Sequence, residues 1–216
     1  MSHGAGRRIC RMFQRISADI DEAKERLSDL DGAIGDADHG ITMSLGFAAV
    51  TGRLASVDPD TATPCELFKT AAGAFLDAVG ASTGPLYATA FRRAAQALKS
   101  HEELTVAAQA EIIEAMTMGI RERGKGQRGD KTMLDAWIPA AEAAADARLR
   151  GEDAKVMWEK IVAAAEAGAK ATRSMVAARG RAARLGERSL GHVDPGAAST
   201  VVILRAMREI LLPEGK

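Results

Sequence analysis

In the stretch "ELTVAAQAEIIEAMTMGI", residues 103–120, apolar side chains return every fourth position at Leu104, Ala108, Ile112, Met116 and Ile120. That spacing lays them on one face of an α-helix, whereas a strand would need alternation. The segment "DAKVMWEKIVAAAEAGAKATRSMVAA" repeats the stripe with Met157, Ile161, Ala164, Gly168, Thr172 and Met175. No comparable segment alternates with period two. Aromatic residues make up only 4% of the chain, and abundant alanine adds the best intrinsic helix former. The chain is expected to be all-α.

Punctuation divides the pattern. "SVDPDTATP", "GASTGP", "KSHEE", "RERGKGQRGD", "LRGED" and "GERSLGHVDPG" read as turns or loops,. They leave eight helical segments, at about 4–29, 41–54, 64–79, 86–100, 103–121, 132–148, 153–179 and 197–212,. At 216 residues, with 47% apolar residues and no repeat or linker, one domain over residues 1–216 is expected,. Short connections favour antiparallel neighbours. The first, third, fifth and seventh connections would then share one end of an up-down bundle. These are "DGAIGDADHG", "VGASTGP", "RGKGQRGDKT" and "RGRAARLGERSLGHVDPG", which hold most of the loop glycine, acid, hydroxyl and arginine.

The first of these connections carries Asp31, Asp36 and Asp38 with His39, separated by Gly32, Gly35 and Gly40. The spacing fits no single helix face, so the carboxylates belong to a folded-back loop. Three carboxylates held close together repel unless a cation screens them, and all-oxygen ligands select Mg2+, Ca2+ or Mn2+. Each aspartate taken singly also suits a turn or helix cap. An EF-hand is excluded, because its closing glutamate, counted from Asp36, falls on Phe47,. His39 has no soft or imidazole partner at zinc spacing.

The fifth connection resembles GxxxxGK[ST] from Gly124, but Asp130 is inserted before Lys131 and a helix rather than a strand precedes it. A P-loop fold is therefore not expected, although glycine amides and a helix start near Thr132 suit an anion. Ser82 and Thr83, ahead of a helix starting behind Pro85, offer a similar setting, and Arg181, Arg184 and Arg188 enrich the seventh connection. Trp137 and Trp158 lie in apolar stripes and are expected in the core.

Equal numbers of basic and acidic residues, 29 each, give no global attraction to nucleic acid or to an anionic membrane,. No apolar run reaches the roughly 20 residues of a membrane span, and the start has no signal-peptide core. Cys10 and Cys65 stand in no metal or redox spacing,. A cytoplasmic location is expected.

Together "LDGAIGDADHG", "STGPLYATAF", "GDKTMLDAW" and "GRAARLGERSLGHVDPGA" resemble the nucleotide-binding L subunits of bacterial dihydroxyacetone kinases, also found as the C-terminal domain of single-chain forms. The resemblance spans residues 30–200, with the four motifs in order. It implies an eight-helix antiparallel barrel holding ADP or ATP at one end through two Mg2+ ions. Asp31, Asp36 and Asp38 would be the metal ligands. His39, Gly40, Ile41 and Thr42 would line the nucleotide, with Ser82 and Thr83 at the phosphates and Gly124 and Met133 near the base. Arg181, Asp194, Pro195 and Gly196 would close the site. No catalytic residue is implied beyond the metal and nucleotide. The family often has glycine at position 37 and asparagine at position 42, where this chain has Ala37 and Thr42, and a glycine pair before Ser82 becomes "GAST". The resemblance further implies a separate K subunit that holds the ketose covalently. In some relatives a phosphotransferase-system M subunit rephosphorylates bound ADP. The acceptor is dihydroxyacetone or a four-carbon ketose. The alternative is a nucleotide-binding regulatory or adaptor module of the same fold.

Overall fold

The computed structural model describes residues 3–80 and 82–212. Residues 1, 2 and 213–216 of the expected domain, and Ala81 of the third connection, lie outside the described residues. Among the described residues there are nine α-helices and no strand: α1 His3–Glu22, α2 Lys24–Gly32, α3 His39–Leu54, α4 Pro64–Ala78, α5 Thr83–Ala97, α6 Val106–Gly124, α7 Leu134–Leu149, α8 Ala154–Ala171 and α9 Pro195–Leu211.

Eight of them close a ring. Along the series α1, α3, α4, α5, α6, α7, α8 and α9 each helix packs on the next, and α9 returns to α1, while α2 lies against α3 and α9. The all-α expectation holds, with one helix more than the sequence pattern suggests. The expected first helix, 4–29, is α1 and α2 joined at Ala23. Backbone bonds from Ala23 N to Asp19 O (3.0 Å) and from Leu27 N to Ala23 O (2.9 Å) run through the join, which is a bend rather than a loop.

The expected seventh helix, 153–179, stops eight residues early, because Thr172 turns the chain. Its hydroxyl donates to Ala169 O (2.6 Å) and accepts from Asp194 N (2.9 Å), tying the helix end to the start of α9. The residues beyond form short 3-10 turns at Thr172–Ser174 and Arg181–Ser189, the latter kinked at Gly186 with φ +56°.

All five phenylalanines and the one tyrosine of the chain meet in the half of the core built by α1, α3, α4 and α5. Phe13, Phe47, Phe68, Phe75, Tyr87 and Phe91 stack edge-on or tilted, with centroids 5.3–6.3 Å apart, arrangements that aromatic quadrupoles favour. Gly46 makes room for them: a Cβ there would meet the Phe75 ring at 2.4 Å. Trp137 and Trp158 are fully buried, as their stripes imply. The Trp158 indole donates to Gln109 Oε1 at 2.7 Å. No described helix is long and apolar enough to cross a membrane.

The ring positions the unusual connections. Residues from the α2–α3, α4–α5, α6–α7 and α8–α9 connections line the same pair of cavities at one end. The other three connections turn the chain with capped helix starts. Thr63 and Glu66 form a reciprocal capping box on α4, Thr105 accepts from Ala108 N on α6, and Asp153 accepts from Val156 N on α8, the usual way of satisfying orphan amides.

Candidate metal and nucleotide site

The turn between α2 and α3 is built around Asp31. One carboxylate oxygen, Oδ2, accepts from the backbone N–H of Asp38 (2.9 Å) and of His39 (3.2 Å), so Asp31 satisfies the start of α3 from seven residues away. Gly35 leaves room for the Asp31 carboxylate, because a Cβ would lie 2.3 Å from Asp31 Oδ1 and force that side chain to move. Ala37 takes φ +63°, a left-handed conformation that a Cβ disfavours. This accounts physically for the glycine that the family resemblance places there.

The tight turn brings Asp31, Asp36 and Asp38 together, each offering an oxygen within 4.8 Å of the others. Arg181 answers part of that charge. Its Nη1 pairs with Asp36 Oδ2 and lies 3.6 Å from Asp38 Oδ2. An all-carboxylate donor set at this separation, on a fixed backbone turn, fits a small hard cation such as Mg2+.

His39 stands behind the carboxylates. Its Nε2 lies 2.9 Å from Ser199 Oγ, and Ser199 itself donates to Gly196 O at 3.0 Å. With the only hydroxyl proton already used, His39 Nε2 carries the proton of the pair and Nδ1 is left as an acceptor. Burial depresses its pKa to about 4, although Asp31 acts in the opposite sense, so the ring is neutral at pH 7.

On the opposite wall, α5 starts at Thr83 without a side-chain cap from Ser82, and α7 starts at Leu134, whose N–H donates to Thr132 Oγ1 at 3.2 Å. Asp135 organises the α6–α7 connection. Its carboxylate accepts from Gly129 N (2.5 Å) and Thr132 N (2.8 Å). Asp194 caps α9 by accepting from Ala197 N at 2.7 Å. Desolvation pushes its pKa up to about 7, reinforced by Asp135 and Asp31 and opposed by the Ala197 amide and Lys131.

Two adjoining cavities result. The first, about 450 Å³, is polar and holds the three aspartates, with Thr42, Lys131, Arg181 and Asp194 in its lining. The second, about 420 Å³, is mainly apolar, with Leu86, Ile120, Met133, Leu134, Gly124 and Gly196. His39, Ser82, Thr83, Thr132, Arg179 and Gly180 line both. Each volume falls in the roughly 300–1,000 Å³ range of small-molecule sites.

Of the residues singled out in the sequence, Asp31, Asp36, Asp38, His39, Thr42, Ser82, Thr83, Gly124, Met133, Arg181, Asp194, Pro195 and Gly196 line one or both cavities. Gly40 and Ile41 line neither. Gly40 faces away, against α2, where a Cβ would meet Lys24 O at 2.0 Å, and Ile41 is half exposed. Sequence reasoning missed Arg179, Leu86 and Ile120. The two apolar residues sit at helix ends, where periodicity does not distinguish a cavity wall from core. Arg179 is one of several arginines in its segment, and only its ion pair with Asp130, Nε to Oδ2 at 2.7 Å, sets it apart.

The class defined by this geometry is an all-α helical ring with a carboxylate cluster that could hold a cation, beside an apolar chamber at the same end. The DAK2 domain model matches residues 33–209, and the chain belongs to that family, which includes the DhaL subunits of dihydroxyacetone kinases. It is 40% identical over 188 residues to "PEP-dependent dihydroxyacetone kinase 1, ADP-binding subunit DhaL" of Listeria innocua, covering 87% of this chain and 88% of that protein. Identity to the ADP-binding subunit DhaL of the Escherichia coli PEP-dependent dihydroxyacetone kinase is 38% over 184 residues, covering 85% and 86% respectively. Human triokinase/FMN cyclase is 33% identical over 207 residues, 96% of this chain but 36% of that protein. In fold, the chain resembles a crystal structure of the dihydroxyacetone kinase of C. freundii with TM-score 0.70 and 23% identity, covering 93% of this chain and 34% of that one. A second structure of that kinase, in complex with AMP-PNP and Mg2+, matches with TM-score 0.68. The chain thus spans about a third of the neighbouring crystal structures.

Proposed function

We propose that this chain, acting as one domain, is the ADP- and ATP-binding subunit of a short-ketose kinase. It transfers the γ-phosphoryl group to dihydroxyacetone, or to a related ketose, held covalently on a separate K subunit. The observation that carries this reading is the pairing of the two cavities. One supplies carboxylates and anion-binding helix starts, the other an apolar slot, and they share a wall from His39 to Arg179. A nucleotide spans such a pair naturally, with its phosphates in the polar chamber and its base in the apolar one.

Asp31, Asp36 and Asp38 would hold Mg2+, two ions in this reading. When bound, the metal neutralises charge on the phosphates and stabilises the transition state for phosphoryl transfer, a reaction that needs positioning more than covalent help. The protein's own part is to arrange the groups around it. The Asp31 bonds to the Asp38 and His39 amides fix one carboxylate oxygen, so only the other is free to turn toward a cation. The neutral His39 and the starts of α5 and α7 approach the same space without adding negative charge. Arg181 can exchange its carboxylate partners for phosphate oxygens, since a guanidinium matches both geometries.

The ketose belongs to the partner subunit in this proposal, and ADP would be recharged in place by a phosphotransferase-system M subunit or exchanged for ATP. The relatives named PEP-dependent favour the M-subunit route. Calorimetry tests the nucleotide reading. ADP is expected to bind with Mg2+ and at least a hundredfold more weakly without it, and Asp36→Ala is expected to abolish the metal dependence. Binding indifferent to both changes would overturn the reading. Mixing the chain with its K subunit and comparing ATP with a phosphotransferase-system donor across several ketoses then identifies donor and acceptor.

A further inference from the structure

Lys131 is a charged residue among the most deeply buried side chains, 1% exposed, and its backbone takes φ +57°, where L residues are disfavoured. Burying an ammonium is unfavourable unless its protons find acceptors. Two do: Nζ donates to Thr172 O at 2.7 Å and to His192 O at 2.5 Å. Desolvation lowers the Lys131 pKa, while Asp194 and Asp135 favour the charged form. With two of three protons held by carbonyls, Lys131 is poorly placed to act as the phosphate-gripping lysine that its near-P-loop spacing suggests.

The two carbonyls stand at opposite ends of the α8–α9 connection. Between them lie Arg179 and Arg181, both in the lining of the polar cavity. The ends also meet through Gly191 N to Arg173 O (2.8 Å) and Asp194 N to Thr172 Oγ1 (2.9 Å). The residue before Lys131 grips the middle of the same segment: Asp130 O accepts from Ala178 N (3.1 Å), and its carboxylate pairs with Arg179.

We propose that Lys131 is a positioning residue of the nucleotide site: its buried ammonium clasps both ends of the 172–194 connection and thereby holds Arg179 and Arg181 over the phosphate chamber. The proposal rests on the nucleotide reading above. A lysine suits the task because its three ammonium protons point in different directions and can serve two separate carbonyls at once,. Without it, Thr172 O and His192 O lose a donor inside the fold, and the arginine segment is tied only by its weaker neighbours.

Hydrogen exchange of the full chain, wild type against Lys131→Met, tests the clasp without any ligand. The amides of Ala177, Ala178 and Gly191 are expected to exchange about tenfold faster in the variant, while those of α4 and α5 keep their protection, as for local opening. Titration with MgADP and with adenosine tests the positioning. MgADP binding is expected to weaken about tenfold, whereas adenosine, which lacks phosphates, binds as in wild type. Unchanged exchange at the three amides overturns the proposal. So does an equal loss of MgADP and adenosine binding, which would signal general damage. If the methionine variant does not fold, Lys131→Gln, which keeps an N–H donor, is measured in its place. A wild type that binds no MgADP overturns the nucleotide reading, and with it the positioning role, while the exchange data still decide whether the clasp exists.

Discussion

The two ends of the helix ring turn the chain in different ways. At the plain end α4, α6 and α8 each begin with a side-chain cap from Thr63, Thr105 or Asp153, and nearby charges pair locally, as Lys160 does with Glu152. At the site end Asp31 reaches the first amide of α3, Thr132 that of α7 and Asp194 the Ala197 amide of α9, while α5 has no side-chain cap from Ser82. Three carboxylates crowd one turn there, Ala37 and Lys131 adopt left-handed backbones, and Asp130, Lys131 and Asp135 lie buried. The side chains that satisfy helix starts at this end, Asp31, Thr132 and Asp194, also line the polar cavity, whereas the caps at the plain end serve the helices alone. Functional ends characteristically hold such strain while the surrounding structure sustains it.

The sharpest way to break this comparison is through pH, because the strongly shifted acid and histidine both sit at the site end. His39 has its pKa lowered from 6.5 to about 4. As pH falls from 6.5 toward 4, the unfolded chain takes up a proton that the folded one refuses, so the His39 contribution is full above 6.5 and lost below. Asp194 is raised from 3.8 to about 7. Its contribution is full below 3.8 and lost as pH rises through 7. The slopes oppose one another, so ligand-free wild type is expected to change little between about pH 4 and 6.5. Asp194→Asn should uncover the His39 slope, with stability rising on the order of 3 kcal/mol across that window, and His39→Gln should uncover the reverse. Urea unfolding at stepped pH checks both. Flat profiles in both variants would remove the site end as the seat of the pH response.

Gly40 tests whether the scaffold behind the site is rigid. A Cβ there collides with the Lys24 carbonyl, a backbone atom that does not move aside. Gly40→Ala is expected to cost about 2 kcal/mol, the range of overpacking, in thermal unfolding. A neutral result would mean that α2 and α3 separate easily and that the acidic turn is not held from behind.

The plain end should answer differently. Thr63→Ala removes the capping box and is expected to cost about 1 kcal/mol while leaving MgADP affinity within twofold of wild type. A change in affinity would show that the ends are coupled. The smallest effect is expected at Ala37, where Ala37→Gly relieves the left-handed backbone. It should gain at most about 1 kcal/mol, because glycine also gives the unfolded chain more freedom. Denaturant midpoints resolve a change of that size.

Most of the fold was legible in the sequence because its period is strong. Stripes such as Leu104 to Ile120 identify helices wherever they pack, and the parity of the connections placed Asp31, Ser82, Met133 and Arg181 at one end. What was not legible depends on contacts between distant residues. Thr172 ends α8 by accepting from Asp194, 22 positions along, a bond with no local signature. The bend at Ala23 carries neither glycine nor proline. Gly40, a nucleotide contact by the motif, packs against α2, and a glycine needed for close approach looks the same in sequence as one needed for a bound molecule. Arg179 and Lys131 emerged only when their partners, Asp130, Thr172 and His192, were brought beside them.

The closure of the ring by α9 against α1 bears on how the chain reaches this state. The Arg8 side chain donates to Leu211 O, 203 positions away, and Arg15 pairs with Glu209. Contacts of such sequence separation form late, because they require the largest loop closure. During synthesis the apolar faces of α1 and α8 must wait for residues 195–211 to emerge before either is covered. Completion of the last helix is therefore the step at which aggregation and folding compete most directly.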